Sequence, residues 1–135
     1  MAGINVQYQG KLRFKAAREP DGQAVLTDVG TEHGGKGEFL SPIEMSVAAL
    51  ANCASSMLAV VAERSGVDIS AAKATATFEM TGSPTRRLGS VQLTFKLPGS
   101  VPEAVRPKLE AAVKACPVKN SMHPDVHIGT EFIYG

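Results

Sequence analysis

The segment of residues 41–66, SPIEMSVAALANCASSMLAVVAERSG, decides the fold of this chain because it carries the start and stop signals of one long helix. Ser41 suits the N-cap, the proline after it suits the first helical position, and Glu44 completes a capping box. Gly66 can supply the left-handed residue that follows a helix C-terminus. The sequence therefore predicts a helix from residue 41 to about residue 64.

Part of this helix resembles a membrane span, because residues 45–62 contain no charged side chain and approach the length that a span requires. The segment is rich in alanine, has few large aliphatic side chains and includes Asn52 and three serines. A helix that is weakly apolar all round is typical of a buried core helix. The N-terminus shows neither the basic nor the apolar region of a signal peptide. We therefore expect a cytoplasmic protein with no membrane partner.

The composition fits a single globular domain over residues 1–135. Hydrophobic residues make up 44% of the chain and charged residues 20%, which excludes a disordered tail or a fibre. The formal net charge is only +1, and aromatic residues make up 5% without any Trp. Nucleic-acid-binding proteins normally combine a basic face with aromatic stacking platforms, so we expect no nucleic-acid partner.

Outside the long helix, the sequence predicts short strands and one further helix. Alternating apolar and polar side chains predict a half-buried strand over residues 4–14, bent at Gly10. The remaining predictions are a turn at 20–22, strands over 23–28, 75–80, 91–97 and 126–134, and a second helix over 101–116 that Pro117 ends. The order ββ–α–ββ–α–β indicates an α+β fold with antiparallel strands and two prominent helices.

The two cysteines are the main candidates for chemistry. Cys53 lies in the middle of the long helix, and Cys116 lies at the end of the second helix on its apolar face, so a disulfide between them is conceivable. They are either inert small hydrophobic residues or a redox pair. A reactive thiol in mid-helix needs a nearby cation to favour its thiolate. Arg13, Arg18 and Lys11 are candidates, with a solvated strand face as their alternative role.

Two segments resemble the OsmC/Ohr family, which is named for osmotically inducible protein C and organic hydroperoxide resistance. They are SPIEMSVAALANC, which ends at Cys53, and Ala115-Cys116-Pro117-Val118. The separation of 63 positions between the cysteines is also similar to that of the family. The resemblance implies an OsmC-like fold, with antiparallel sheets around two central helices. It further implies an intertwined homodimer with active sites at the subunit interface.

The resemblance also implies a function, the thiol-dependent reduction of organic hydroperoxides in an oxidative stress response. By this resemblance, Cys53 is the peroxidatic thiol that becomes a sulfenic acid. Cys116 is the resolving thiol that condenses with it. The implied reductant is an external dithiol of lipoyl type, and no bound cofactor is implied.

Two polar partners are implied less directly. The peroxidase branch of the family has an activating Arg from the N-terminal region, for which Arg13 is the best positional match. That branch also has a Glu ten residues before the first Cys, where this chain has Ile43 followed by Glu44. The Pro-x-Glu order resembles an OsmC-like branch distinct from the best-studied peroxidases. Glu44 is therefore either a catalytic partner or the capping-box acid, and the second interpretation is favoured.

Two alternatives to the peroxidase stay open. The first is an OsmC-like dimer with little peroxidase activity that binds an apolar small ligand at its subunit interface, lined by residues such as Met45, Met57 and Leu58. The second, a metal site, is not favoured because the chain has no paired-cysteine spacing. Its ligands would be Cys116, His123 and His127.

Overall fold

The computed structural model describes residues 3–135 and confirms the α+β class. In chain order its elements are β1 (Ile4–Gly10), β2 (Arg13–Arg18), β3 (Ala24–Asp28), a short 3-10 turn (Thr31–His33), α1 (Pro42–Arg64), β4 (Lys73–Thr81), β5 (Arg87–Leu97), α2 (Arg106–Lys114), α3 (Pro117–Ser121) and β6 (His127–Tyr134). The chain divides into two compact units, with the boundary between Ser46 and Val47 inside α1. The expectation of a single domain therefore stays a prediction.

The first unit contains an antiparallel sheet in the order β1–β2–β3. The prediction of one bent strand over residues 4–14 was wrong, because the chain reverses direction after Gly10. Lys11 and Leu12 have φ values of 53° and 63°, a left-handed conformation that costs roughly 1–2 kcal/mol per non-glycine residue. The turn is fixed by two contacts: the Leu12 N–H donates to the Tyr8 hydroxyl, and the Leu12 carbonyl accepts from the Val29 N–H.

The two faces of this sheet differ in character. The strand register places the apolar side chains of Val6, Tyr8, Phe14 and Val25 on one face, where all four are more than 40% exposed in the single chain. The opposite face carries Arg13, Lys15, Leu26 and Asp28. The apolar face is therefore exposed to solvent in the single chain.

The helix α1 is confirmed at both ends. Its C-terminus closes with Gly66 at φ 69° and with the Val67 N–H donating to the Ala62 carbonyl at 2.9 Å. By length and composition α1 is one helix that could cross a membrane, a test that core helices of soluble proteins also pass. One stripe of α1 is buried, consisting of Val47, Leu50, Ala54, Leu58 and Ala62.

The second unit contains a three-stranded sheet in the order β4–β5–β6, with β5 in the centre. The strands β4 and β5 form an antiparallel pair, but β5 and β6 are parallel, so the expectation of antiparallel pairing throughout was wrong. A parallel pair needs a long crossover connection, and the segment that contains α2 and α3 supplies it. The paired residues Phe95 and Phe132 stack with their ring centroids 5.1 Å apart.

The core of the second unit lies along one face of β5. Its buried residues include Leu93 and Phe95 of β5, together with Leu109 and Val113 of α2. The predicted helix over 101–116 is shorter than expected, because α2 ends at Lys114 and Cys116 instead precedes α3. Pro117 cannot continue a helix but suits the first position of a new one.

Candidate functional site

The structure brings the two cysteines together. Cys53 on α1 is half-buried, Cys116 is fully buried, both are free thiols, and their side chains lie close enough for Cys53 to influence the pKa of Cys116. We call Cys53 and Cys116 the thiol pair. Contact between two thiols is the arrangement that a disulfide requires.

The backbone around Cys116 fixes the position of its sulfur. Cys116 is the N-cap of α3 with an extended backbone, φ −60° and ψ 120°, rather than the last residue of α2. Its Sγ accepts a hydrogen bond from the Lys119 N–H at 3.5 Å, and its carbonyl accepts from the Asn120 N–H at 3.0 Å. The start of α3, and not the apolar stripe of the second helix, therefore directs this thiol.

The environment of Cys116 favours its protonated form. Burial raises the pKa of the Cys116 thiol, and the neighbouring Cys53 side chain raises that pKa further, against the opposing effect of the backbone N–H groups of Lys119 and Val118. Cys116 therefore keeps its proton and can donate it towards Cys53. Cys53 is the member of the thiol pair with access to solvent.

Arg13 belongs to a second group of polar side chains, which lies within the first unit. Its Nε and Nη2 donate to the two carboxylate oxygens of Asp28 at 2.7 and 2.8 Å. The same carboxylate accepts from the backbone N–H groups of Glu38 and Phe39 at 2.9 and 3.2 Å. The guanidinium carbon lies 4.6 Å from the centre of the Phe39 ring. We call Arg13, Asp28, Glu38 and Phe39 the Arg13 cluster.

Asp28 is the residue that sequence reasoning missed. Its side chain has no solvent exposure, and its carboxylate accepts hydrogen bonds from Arg13 and from the backbone N–H groups of Glu38 and Phe39. Asp28 lies opposite Arg13 in the pairing of β2 with β3. The sequence alone does not give this register. A two-bond contact of this kind holds a guanidinium in one orientation.

The Arg13 cluster makes stability depend on pH in the acid range. The hydrogen bond from Arg13, followed by those from the Glu38 and Phe39 N–H groups, lowers the pKa of Asp28 to about 2 against the effect of burial. A lowered folded-state pKa adds stability above the unfolded-state pKa of about 3.9, which is lost as pH falls towards 2.

We therefore expect Asp28→Asn to lower the free energy of unfolding at neutral pH and to flatten its decrease between pH 5 and 2. Urea unfolding at a series of pH values measures both effects. Replacement of the exposed Asp125 by Asn is the matched control and should leave the slope unchanged. Equal slopes in the wild type and Asp28→Asn would contradict the assignment.

The other predicted site residues have the following surroundings. Arg18 pairs with Asp21 beside the second turn, and Lys11 lies in the first turn. Arg13 belongs to the first unit and Cys53 to the second, so the role of Arg13 as the activating cation stays a prediction.

Glu44 forms the predicted capping box. Its carboxylate accepts from the Ser41 N–H at 3.0 Å, while its own N–H donates to the Ser41 hydroxyl at 3.2 Å. These two bonds account for the side chain as a helix cap. A catalytic role for Glu44 stays a prediction.

One of the two histidines in the disfavoured metal hypothesis has a local partner. His123 is exposed, and its Nδ1 accepts from the Asp125 N–H at 3.0 Å. Within residues 3–135 no group of three or more His, Cys, Asp or Glu side chains is arranged to hold a metal ion.

Comparison with known proteins gives a family match and many similar structures. A family model described as OsmC-like protein matches residues 35–131. A search of curated proteins by sequence finds no significant match.

Three solved structures illustrate the structural similarity. A Psychrobacter arcticus protein, described as an osmotic stress induced and detoxification response protein, is 27% identical with a TM-score of 0.90, covering 98% of this chain and 96% of that one. An organic hydroperoxide resistance protein OsmC from Legionella pneumophila is 17% identical with a TM-score of 0.76 and the same coverage. The organic hydroperoxide resistance protein OhrB of Bacillus subtilis is 14% identical with a TM-score of 0.67, covering 98% and 97%.

Proposed function

Because this chain belongs to the OsmC-like family, we propose that it is a thiol peroxidase that reduces organic hydroperoxides through the thiol pair. The observation that carries the proposal is the proximity of the Cys53 and Cys116 side chains, one half-buried and the other fully buried. Structural neighbours named for organic hydroperoxide resistance support the choice of substrate class.

The proposed reaction uses both thiols and balances without a bound cofactor. The Cys53 thiolate attacks one peroxide oxygen, the O–O bond breaks, and the alkoxide takes up a proton to leave as an alcohol. Cys53 then carries a sulfenic acid. The Cys116 sulfur attacks the Cys53 sulfur, a disulfide forms, and the hydroxyl of the sulfenic acid leaves as water with the Cys116 proton. An external dithiol, of lipoyl type by family resemblance, reduces the disulfide.

The division of roles within the thiol pair follows from exposure and protonation. Cys53 is accessible, so a hydroperoxide can reach its sulfur. Cys116 is fully buried, and its raised pKa keeps it a thiol until the sulfenic acid forms beside it. Because a thiolate is the attacking species, Cys53 is assigned the first step and Cys116 the second.

Arg13 is the proposed cation that favours the Cys53 thiolate and the departing alkoxide. In this proposal Asp28 is a positioning residue, because it holds the guanidinium by two hydrogen bonds.

The homodimer belongs to the same proposal. The first sheet leaves Val6, Tyr8, Phe14 and Val25 exposed in the single chain, and exposed apolar surface of this kind marks an interaction site. We assign this face to the contact with a second copy. Light scattering coupled to size-exclusion chromatography should give twice the 14.1 kDa of the chain. A monomer at micromolar concentration would contradict the assignment.

The test of the peroxidase uses the reduced protein and one equivalent of cumene hydroperoxide. Intact mass should fall by about 2 Da as two thiol hydrogens are lost, and a dithiol should restore it. Peptide mapping should show a single Cys53–Cys116 disulfide. If both thiols remain available for alkylation after peroxide, the proposal fails and the hypothesis of a ligand-binding dimer takes precedence.

Variants of Glu44 and Ser41 distinguish a helix-capping role of Glu44 from a catalytic role. Gln at this position can still accept the Ser41 N–H, so Glu44→Gln should retain both the stability and the peroxide reaction. Ser41→Ala should lower the free energy of unfolding by about 1 kcal/mol through the lost cap. Urea unfolding and the rate of peroxide consumption measure the two effects. A stable Glu44→Gln variant that consumes peroxide much more slowly would assign Glu44 a catalytic role.

A further inference from the structure

The first unit contains an open groove that shares only Arg13 with the proposed thiol chemistry. Its cavity volume is about 430 Å³, and its lining residues are Gln9, Gly10, Lys11, Arg13, Leu26 and Lys36. We call it the cationic groove, because three of these six residues, Lys11, Arg13 and Lys36, are basic. Leu26 adds one half-buried apolar wall.

Two carboxylates, those of Asp28 and Glu38, lie close to these cations. They differ in burial and in the strength of their contacts. Asp28 is completely buried and bonded to Arg13 through both oxygens. Glu38 is 59% exposed, and its Oε1 lies 3.5 Å from Arg13 Nη2 and 3.8 Å from Lys36 Nζ. Asp28 is therefore a fixed part of the cluster, whereas Glu38 bridges two cations loosely.

Lys11 is the third cation, and it makes no ion pair with any residue in the described range 3–135. It lies in the left-handed turn between β1 and β2, a conformation that lysine rarely adopts. Strained turns of this kind recur where the backbone has to present a side chain to a ligand. With three cations and two carboxylates, the cationic groove keeps one net positive charge.

We propose that the cationic groove binds the carboxylate of a small organic acid, which displaces Glu38 from Arg13 and Lys36 and gains Lys11 as a further partner. The loosely bridging Glu38 carboxylate marks the place and the chemistry of this ligand. A short alkyl group next to the carboxylate would contact Leu26. This site goes beyond the proposed function in its ligand and in Lys11, Lys36 and Leu26, although the two share Arg13.

The test is a titration of the reduced, isotope-labelled protein with hexanoate at constant ionic strength. Amide chemical shifts in NMR spectra report the binding. Saturable shifts are expected at Gly10, Lys11, Leu26 and Lys36, and uncharged hexanol should not produce them. Because no peroxide is present, the outcome is independent of whether the thiol pair is redox-active.

Charge variants distinguish binding in the cationic groove from an unspecific attraction of anions to the protein surface. Lys11→Gln and Lys36→Gln should each weaken hexanoate binding by about two- to fivefold, as for exposed ion pairs. Glu38→Gln should strengthen it by a similar factor, because the competing carboxylate is removed. Lys96→Gln, an exposed lysine on β5, is the matched control and should change nothing.

Three results would overturn the proposal. Equal shifts with hexanol would show an apolar contact only. An equal loss of affinity in Lys96→Gln would show an unspecific charge effect. Unchanged or weaker binding by Glu38→Gln would show that Glu38 does not occupy the ligand position.

Discussion

Serine in place of Cys53 is expected to reduce peroxide consumption to the rate of the uncatalysed reaction. A serine hydroxyl is not ionised near neutral pH and has no base within the thiol pair to activate it, so the first step has no nucleophile. No sulfenic acid and no disulfide should form, and Cys116 should remain a free thiol. The loss of hydroperoxide and the alkylation of Cys116 after exposure are the two measurements.

The matched variant is Cys116→Ser, which keeps the attacking thiol and removes the resolving one. It should still consume about one equivalent of hydroperoxide, after which a sulfenic acid on Cys53 accumulates and can be trapped by a dimedone reagent. The two variants therefore differ in the first turnover, although neither forms the disulfide. If Cys53→Ser consumes the first equivalent and Cys116→Ser does not, the assigned roles are reversed.

Replacement of Leu50 by alanine is expected to have the largest effect on stability. Leu50 is fully buried in the stripe of α1, and removing a buried leucine side chain costs about 2–5 kcal/mol through lost transfer free energy and the cavity left behind. Chemical unfolding measures this change, at a fixed protein concentration because the stability of the proposed homodimer would depend on concentration.

Val60 on the same helix provides the control. Its side chain is 44% exposed in the single chain, so Val60→Ala should change the free energy of unfolding by about 0.5 kcal/mol or less. A loss as large as that of Leu50→Ala would mean that this part of α1 is covered in the assembled protein. The burial seen in one chain would then not describe the stable form.

The parts of the fold that were predictable are those with local signals. The ends of α1 follow from Ser41, Glu44 and Gly66, whose effects act within one helical turn. The break between β1 and β2 was missed because Lys11 and Leu12 have no intrinsic preference for a left-handed turn. The parallel pairing of β5 with β6 depends on contacts between distant segments, which no local pattern encodes.

The candidate site also contains residues that could be predicted from the sequence and residues that could not. Both cysteines were recognisable from the residues around them, and the structure places them in contact. Asp28 was not recognisable, because a single aspartate at the end of a short strand gives no local sign of its partner. Its pairing with Arg13 arises from the register of β2 and β3, fifteen positions apart in the sequence.

The parallel pairing of β5 and β6 also has a consequence for how the chain reaches its native state. The hairpin of β4 and β5 joins neighbouring segments and can form early, whereas β6 can pair only after the intervening chain has closed a long loop. Cys116 lies in that intervening chain, so its approach to Cys53 belongs to the late, topologically slow part of folding. We therefore expect a nascent or partly folded chain to carry two separate thiols, which come together as the fold is completed.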